Sequence, residues 1–325
     1  MKKKEIAVGG QAVIEGVMMR GPEHIATAVR RKNGSIDVCK EIFKSVTASN
    51  KFFGLPIIRG FVSLIEMMKI GIKSLTFSAN RYEEDFKEEN NSAKKKKKSS
   101  PFKEKTEEIM SFIFAFGLAF LFFMYLPYQI ADFMNISKEN VYFNAVAGSI
   151  RILFFVLYVW IISFMKDVRR VFEYHGAEHK SVYAYEKNDK LIPETVDAYS
   201  TLHPRCGTSF IFLVLLVSIF LFSVIDTLVA VFFNYTPVAL IRVLYHLPFI
   251  PLVSGISYEI LRFSGKNINN FAVRIFTAPG LALQRITTRK PDHKQLEVAL
   301  VALKVALELD LSGHKNVNFI ENKEK

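Results

Sequence analysis

His175, Glu178 and His179 stand together in the run VFEYHGAEHKSVYAYE, and His203 and Cys206 follow in TLHPRCGTSF. His-x-x-Glu-His is the inverted form of the zinc-protease pattern. On a helix, positions four apart share a face, so both imidazoles can reach one metal ion. Glu178, three residues from His175, can approach a bound water on that face. Neutral imidazoles suit Zn²⁺, and a nearby carboxylate can take the proton of an activated water. A third ligand from His203 or Cys206, both on a Pro/Gly turn, would complete a three-ligand site, and Cys206 would favour zinc over magnesium. The alternative is plainer: a solvated helix face, with Cys206 packed as a small hydrophobe.

A second polar set lies near the start of the chain. Gln11, Glu15 and Arg20 are interspersed with glycines in GGQAVIEGVMMRGP. Glu15 and Arg20 can reach the histidine-bearing stretch, or form a salt bridge within their own element. The phosphate-loop pattern GxxxxGK[ST] is absent, as is the GxSxG of serine hydrolases.

Long apolar segments must position the histidines. Four segments, Ile109–Ala131, Val141–Met165, Ser209–Phe233 and Val238–Leu261, have the length and composition of membrane-crossing helices. The last contains Pro248 and Pro251, which predict a kink. All but three of the 43 Lys and Arg lie outside the spans and the two short connections between paired spans; the exceptions are Lys138, Arg151 and Arg242. By the positive-inside rule both termini and the central connection are cytoplasmic, and the chain is expected in the cell membrane. Arg151 and Asp226 would then sit roughly 21 and 25 Å up their helices, at matching depth, which predicts an interhelical ion pair.

Ahead of the spans, β-branched runs near Ile6–Val8, Ala12–Met18, Ile25–Arg31 and Ile36–Phe43 read as strands, with Asn33-Gly34 as a hairpin turn. GFVSLIEMMKIGIKSLTFSA, residues 60–79, is too charged to span; it fits a helix on the bilayer surface or a buried helix. After the spans, a helix is predicted from about Pro291, capped near Thr288 or Asp292, with Leu296, Val298, Leu300, Leu303, Val305 and Leu307 set to pack on the strands. The domain reading is therefore a β element plus amphipathic helix (1–82) and a lysine-rich disordered linker (83–106). A four-span region (107–262) follows, with its central connection at 166–208, and then a C-terminal helical segment (263–325).

The net charge of +12 accompanies a chain that is 50% hydrophobic, with 30 Phe and one Trp. The basic residues lack the aromatic interleaving of a nucleic-acid surface, so no nucleic-acid partner is expected; the anionic inner leaflet accounts for them. Cys39 and Cys206 are not expected to pair in a reducing compartment. No signal-peptide pattern is visible at the basic start.

Four stretches, GGQAVIEGVMMRGP (Gly9–Pro22), EYHGAEHKSVYAYE (Glu173–Glu186), HPRCGTSF (His203–Phe210) and QRITTRKPDHKQLEVA (Gln284–Ala299), together resemble the YqhQ-like family of bacterial membrane proteins. That family is a domain of unknown function, also labelled a predicted metal-dependent enzyme. Lys290, His293 and Lys294 stand where acidic residues are expected, a change of surface charge. The combined expectation is a membrane α-helical protein of four transmembrane helices, with a cytosolic α+β unit formed by the N-terminal strands, the central connection and the C-terminal helix. Its expected activity is zinc-dependent hydrolysis of a membrane-associated substrate, with Glu178 as general base. The alternative is a non-catalytic membrane scaffold or assembly factor.

Overall fold

The computed structural model describes residues 8–89, 101–136, 141–234, 237–267 and 269–321. Four strands open the chain: β1 (Gly9–Val13), β2 (Gly16–Arg20), β3 (His24–Arg30) and β4 (Ile36–Ile42), each antiparallel to the next. A fifth, β5 (Val317–Phe319), returns from the far end of the chain and pairs parallel to β4, giving the order β1-β2-β3-β4-β5. The hairpin predicted at Asn33-Gly34 joins β3 to β4, with Gly34 at φ 88°. The single strand expected over Ala12–Met18 is instead two, because Ile14 and Glu15 form a two-residue turn with Glu15 at φ 53°. The strand expected near Ile6–Val8 lies mostly outside the described residues.

Both sheet faces are covered, as the two-residue alternation of its side chains requires. After a short turn, α1 (Val46–Ser49), the long helix α2 (Ile58–Glu89) packs Phe77 against Val13, Val29 and Cys39 on one face. Ser74 accepts the Thr27 hydroxyl at 3.1 Å, and Arg31 donates to Asp85 at 2.8 Å. The helix thus extends well beyond residues 60–79 and contacts the sheet directly. Ile65, Met68, Ile72 and Leu75 remain exposed along it, an outward apolar stripe.

The other face carries Val17, Met19, Ala26 and Ala28, and packs on α6 (Lys166–Glu186) and α12 (His293–Ala306). Leu296, Leu300 and Leu303 of α12 are completely buried there, each contributing about 1.5–3 kcal/mol by leaving water. Asp292 caps α12 by accepting the Gln295 N–H at 2.7 Å, while Gln295 returns the bond to the Asp292 N–H at 2.9 Å.

Among the described residues, four helical stretches are long and apolar enough to cross a membrane: Ile109–Phe133, Tyr142–Ile162, Gly207–Phe233 and Leu240–Lys266. The first comprises most of α3 (Pro101–Phe120), a π-helical turn (Leu121–Tyr125) and α4 (Leu126–Phe133). The second lies in α5 (Val141–Ile162) and the third is α8 (Gly207–Phe233), which follows the short α7 (Pro193–Val196). The fourth breaks where its prolines predict, into α9 (Ala239–His246), a 3₁₀ turn (Leu247–Phe249) and α10 (Ile250–Lys266). Helix α11 (Phe271–Thr287) then lies along the start of α8, with Gly280 against Ser209. Arg59 of α2 donates to Glu259 of α10 at 2.6 Å, tying the sheet unit to the bundle.

The ion pair expected between Arg151 and Asp226 is not formed. Asp226 Oδ2 is held by Arg242 at 3.2 Å, and Arg151 donates its Nε–H to the Phe123 carbonyl at 2.8 Å. Equal depth did not fix the azimuth; the bend in the last span carries Arg242 to the face where Asp226 sits.

Candidate metal centre

Helix α6 presents His175 and His179 to the junction where the starts of α8 and α7–α8 connection meet the end of α11. The four-residue spacing puts their rings on one face, with centroids 4.4 Å apart. Cys206 is the N-cap of α8, its sulfur accepting the Thr208 N–H at 3.4 Å. His175 Nε2 lies 3.2 Å from that sulfur, and one ligand atom from each of His175, His179 and Cys206 falls within 4.8 Å of the other two. Ligands at about 2.0 Å (nitrogen) and 2.3 Å (sulfur) around tetrahedral zinc lie about 3.5 Å apart, close to the 3.2 Å between His175 Nε2 and the Cys206 sulfur.

The hydrogen bonds on the far side of each ring decide which nitrogen is available. His175 Nδ1 meets the Thr287 carbonyl at 2.8 Å, and His179 Nδ1 meets the Thr201 carbonyl at 2.5 Å. A carbonyl only accepts, so each Nδ1 carries the proton and donates it. Both Nε2 atoms are left unprotonated, the tautomer a metal ligand needs, oriented by a backbone carbonyl as ligating histidines commonly are; His175 Nε2 accepts the Cys206 thiol hydrogen. His179 Nε2 is buried without a hydrogen-bond donor. Burial pushes the His179 imidazole pKa down, with the Cys206 sulfur opposing, which keeps the ring neutral.

His203 has the opposite arrangement. Its Nδ1 accepts the Arg205 N–H at 3.3 Å, so its proton resides on Nε2, which lies 3.6 Å from Glu186. Of the two candidates for third ligand, Cys206 has its donor atom in the cluster and His203 does not. His203 instead packs beside the site, its ring tilted 5.6 Å from that of His179 and edge-on 4.6 Å from Tyr183. Burial lowers its pKa, with Glu178 opposing.

Glu178 is 6% exposed, and its Oε2 stands 3.4 Å from His179 Nε2. Burial raises its pKa, opposed by His175, His203 and the Gly10 N–H. The carboxylate fits only because position 10 lacks a side chain: a Cβ there would come within 2.7 Å of Glu178 Cγ and 2.6 Å of the Met18 carbonyl. Strand β1 thus forms one wall of the site. Gly176 plays a similar part on the next turn of α6, where a Cβ would lie 2.0 Å from the Arg289 carbonyl.

The second polar set disperses. Glu15 reaches α6, accepting Arg170 Nη2 at 2.6 Å and the Tyr174 hydroxyl at 3.3 Å. Arg20 turns the other way, to Met67 Sδ at 3.2 Å and over the Phe43 ring. Gln11 faces α2, where its Oε1 fills the space beside Gly71. A residue that spacing gave no reason to select is Gln284 of α11, completely buried. It accepts the His203 N–H at 2.7 Å and donates to the His203 carbonyl at 2.8 Å, clamping the HPRCG turn that carries Cys206. Its place in the Gln284–Ala299 motif was the available signal.

A family model described as "Protein of unknown function (DUF1385)" matches residues 55–309. The chain is 34% identical over 311 residues to "Uncharacterized protein YqhQ" of Bacillus subtilis (strain 168), covering 95% of each. No solved structure matches the chain. The protein belongs to the DUF1385 family, and the resemblance to YqhQ-like proteins drawn from its four motifs holds along nearly its whole length.

Proposed function

Within that family of unknown function, we propose that this protein binds zinc through His175, His179 and Cys206, and uses the site as a hydrolase at the cytosolic membrane face. In this reading the protein resides in the cell membrane with both termini and the 166–208 connection in the cytoplasm, against the anionic inner leaflet. The observation that carries the zinc assignment is the pair of Nδ1–carbonyl bonds, which turns two unprotonated Nε2 atoms toward a thiol. With His203 added, three imidazoles and the sulfur would close the site at four ligands; without it, two imidazoles and the sulfur make three, the number that keeps a position for substrate or water.

A bound zinc ion supplies Lewis acidity and makes water acidic enough to lose a proton near neutrality. The chain's own contribution is Glu178, a carboxylate raised in basicity by burial and held beside the ligand nitrogens by the Gly10 N–H, where it can take and return a proton. The substrate class that suits this location is one carried at the membrane surface, such as a lipid headgroup or a peptide.

A second reading, a scaffold in which the metal is structural, draws on burial: Glu178, His179, His203 and Cys206 are all 7% exposed or less. The test begins with metal content of the detergent-purified protein by plasma mass spectrometry, without chelator, beside a His175→Ala/His179→Ala variant. Near-stoichiometric zinc in the parent and its loss in the variant are expected; metal in neither removes the proposal. Glu178→Gln then separates the readings. A base predicts lost turnover with zinc and abundance intact, whereas unchanged function with intact zinc leaves the scaffold.

A further inference from the structure

Helix α8 begins at the histidine cluster, and twenty residues beyond Cys206, about 30 Å at 1.5 Å per residue, it carries Asp226. There, among the candidate membrane spans, a cavity of about 60 Å³ is lined by Arg151, Ser223, Asp226, Arg242 and His246 among others. Asp226 is fully engaged. Its Oδ2 accepts from Arg242 at 3.2 Å, and its Oδ1 accepts the Tyr245 hydroxyl and meets His246 Nε2 at 2.8 Å. His246 is in turn stacked on Phe222, rings 4.1 Å apart. The charges of Asp226 and Arg242 therefore cancel.

Arg151 is left over. Its Nε–H is spent on the Phe123 carbonyl, and among the described residues no carboxylate lies within ion-pair distance of its guanidinium. Phe123 belongs to the π-helical turn of the first span, a distortion that recurs at functional sites. Ser223 supplies an independent sign: it is 7% exposed, lines the same cavity, and its hydroxyl has no hydrogen-bond partner among the described residues. A guanidinium with spare N–H groups and an unpartnered hydroxyl, facing one cavity among candidate membrane spans, are costly unless an acceptor joins them.

We infer that this cavity binds a phosphate group, with Arg151 as its charge partner and Ser223 donating to a further oxygen. The planar fork of an arginine matches the oxygens of a phosphate, and one phosphate offers acceptors enough for both side chains. The group comes either on a phospholipid headgroup or as free phosphate, and the two differ in the test.

The full-length protein in a neutral detergent and phosphate-free buffer is titrated with sodium phosphate, and separately with a short-chain phosphatidylglycerol, while its thermal midpoint is followed by intrinsic fluorescence. Sodium chloride at equal ionic strength is the control. A rise in midpoint of several degrees with one of the two phosphate probes is expected, because a ligand of the folded state stabilises it by mass action. Response to the lipid alone assigns the headgroup; response to sodium phosphate, with or without the lipid, assigns the phosphate itself. Arg151→Gln should abolish the response. Ser223→Ala, which removes a hydroxyl with no partner among the described residues, should keep the unliganded midpoint yet need about fivefold more probe, the equivalent of one hydrogen bond. No shift with either probe, an equal shift with chloride, or a Ser223→Ala response equal to the parent's overturns the inference. If Arg151→Gln does not fold, Ser223→Ala decides alone.

Discussion

The two ends of α8 present opposite chemistry. At its start, around Cys206, lone pairs converge: two imidazole nitrogens and a sulfur face one another, and the donors that would satisfy them are turned outward to carbonyls. Near its other end, around Asp226, donors are in excess: Arg151 and Ser223 have more hydrogens than the described residues accept. An excess of acceptors calls for a cation and an excess of donors calls for an anion. The contrast teaches that burial alone does not identify a site, since both clusters are largely buried; the balance of donors and acceptors does.

The largest effect available is at the acceptor end. Cys206→Ser or His179→Ala is expected to lower zinc content from near one per chain to below about a tenth, while His203→Ala leaves most of it, because loss of a ligand costs more than loss of a neighbour. Equal loss in His203→Ala would show that the rings exchange tautomers on metal binding. At the donor end, Asp226→Asn leaves Arg242 without its counter-charge and should cost about 3–5 kcal/mol in reversible unfolding, whereas Asp226→Asn with Arg242→Met should recover much of that. A single mutant as stable as the parent would mean that the cavity already holds enough negative charge for both arginines.

A smaller effect tests the packing behind the first cluster. Ala in place of Gly within a helix ordinarily gains about 1 kcal/mol. Gly176→Ala should instead cost about 1–3 kcal/mol, since its Cβ would fall 2.0 Å from the Arg289 carbonyl. The measurement is a thermal or denaturant midpoint with metal held saturating, and a gain in stability would show that α6 and the α11–α12 connection are free to separate. Smallest of all, Ser223→Ala should leave baseline stability within about 0.5 kcal/mol, as expected where no bond is lost.

What the sequence made legible follows the same division between local and long-range signals. The spans announce themselves by apolar length, the β3–β4 hairpin by Asn33-Gly34, and the His175/His179 pair by helical spacing. The turn at Ile14-Glu15 carries no Gly or Asn, so a strand break there had no residue to mark it. That Cys206 rather than His203 lies beside His175 depends on the turn at 203–206, where the Arg205 N–H binds His203 Nδ1, and on the carbonyls of Thr201 and Thr287 that orient the α6 rings; these contacts enter only when α6, α8 and α11 come together. Arg151 and Asp226 matched in depth, but depth says nothing of which way a helix is turned; Arg242, on the bent last span, took the place expected for Arg151.

The sheet's composition has a consequence for the order in which the protein can be built. Strands β1–β4 are made before α12, residues 293–306, which together with α6 covers Val17, Met19, Ala26 and Ala28, and before residues 317–319, the strand that closes the β4 edge. Every candidate membrane helix is translated between them. The N-terminal strands therefore wait, with one apolar face partly uncovered and one edge unpaired, until residues 293–319 have been made.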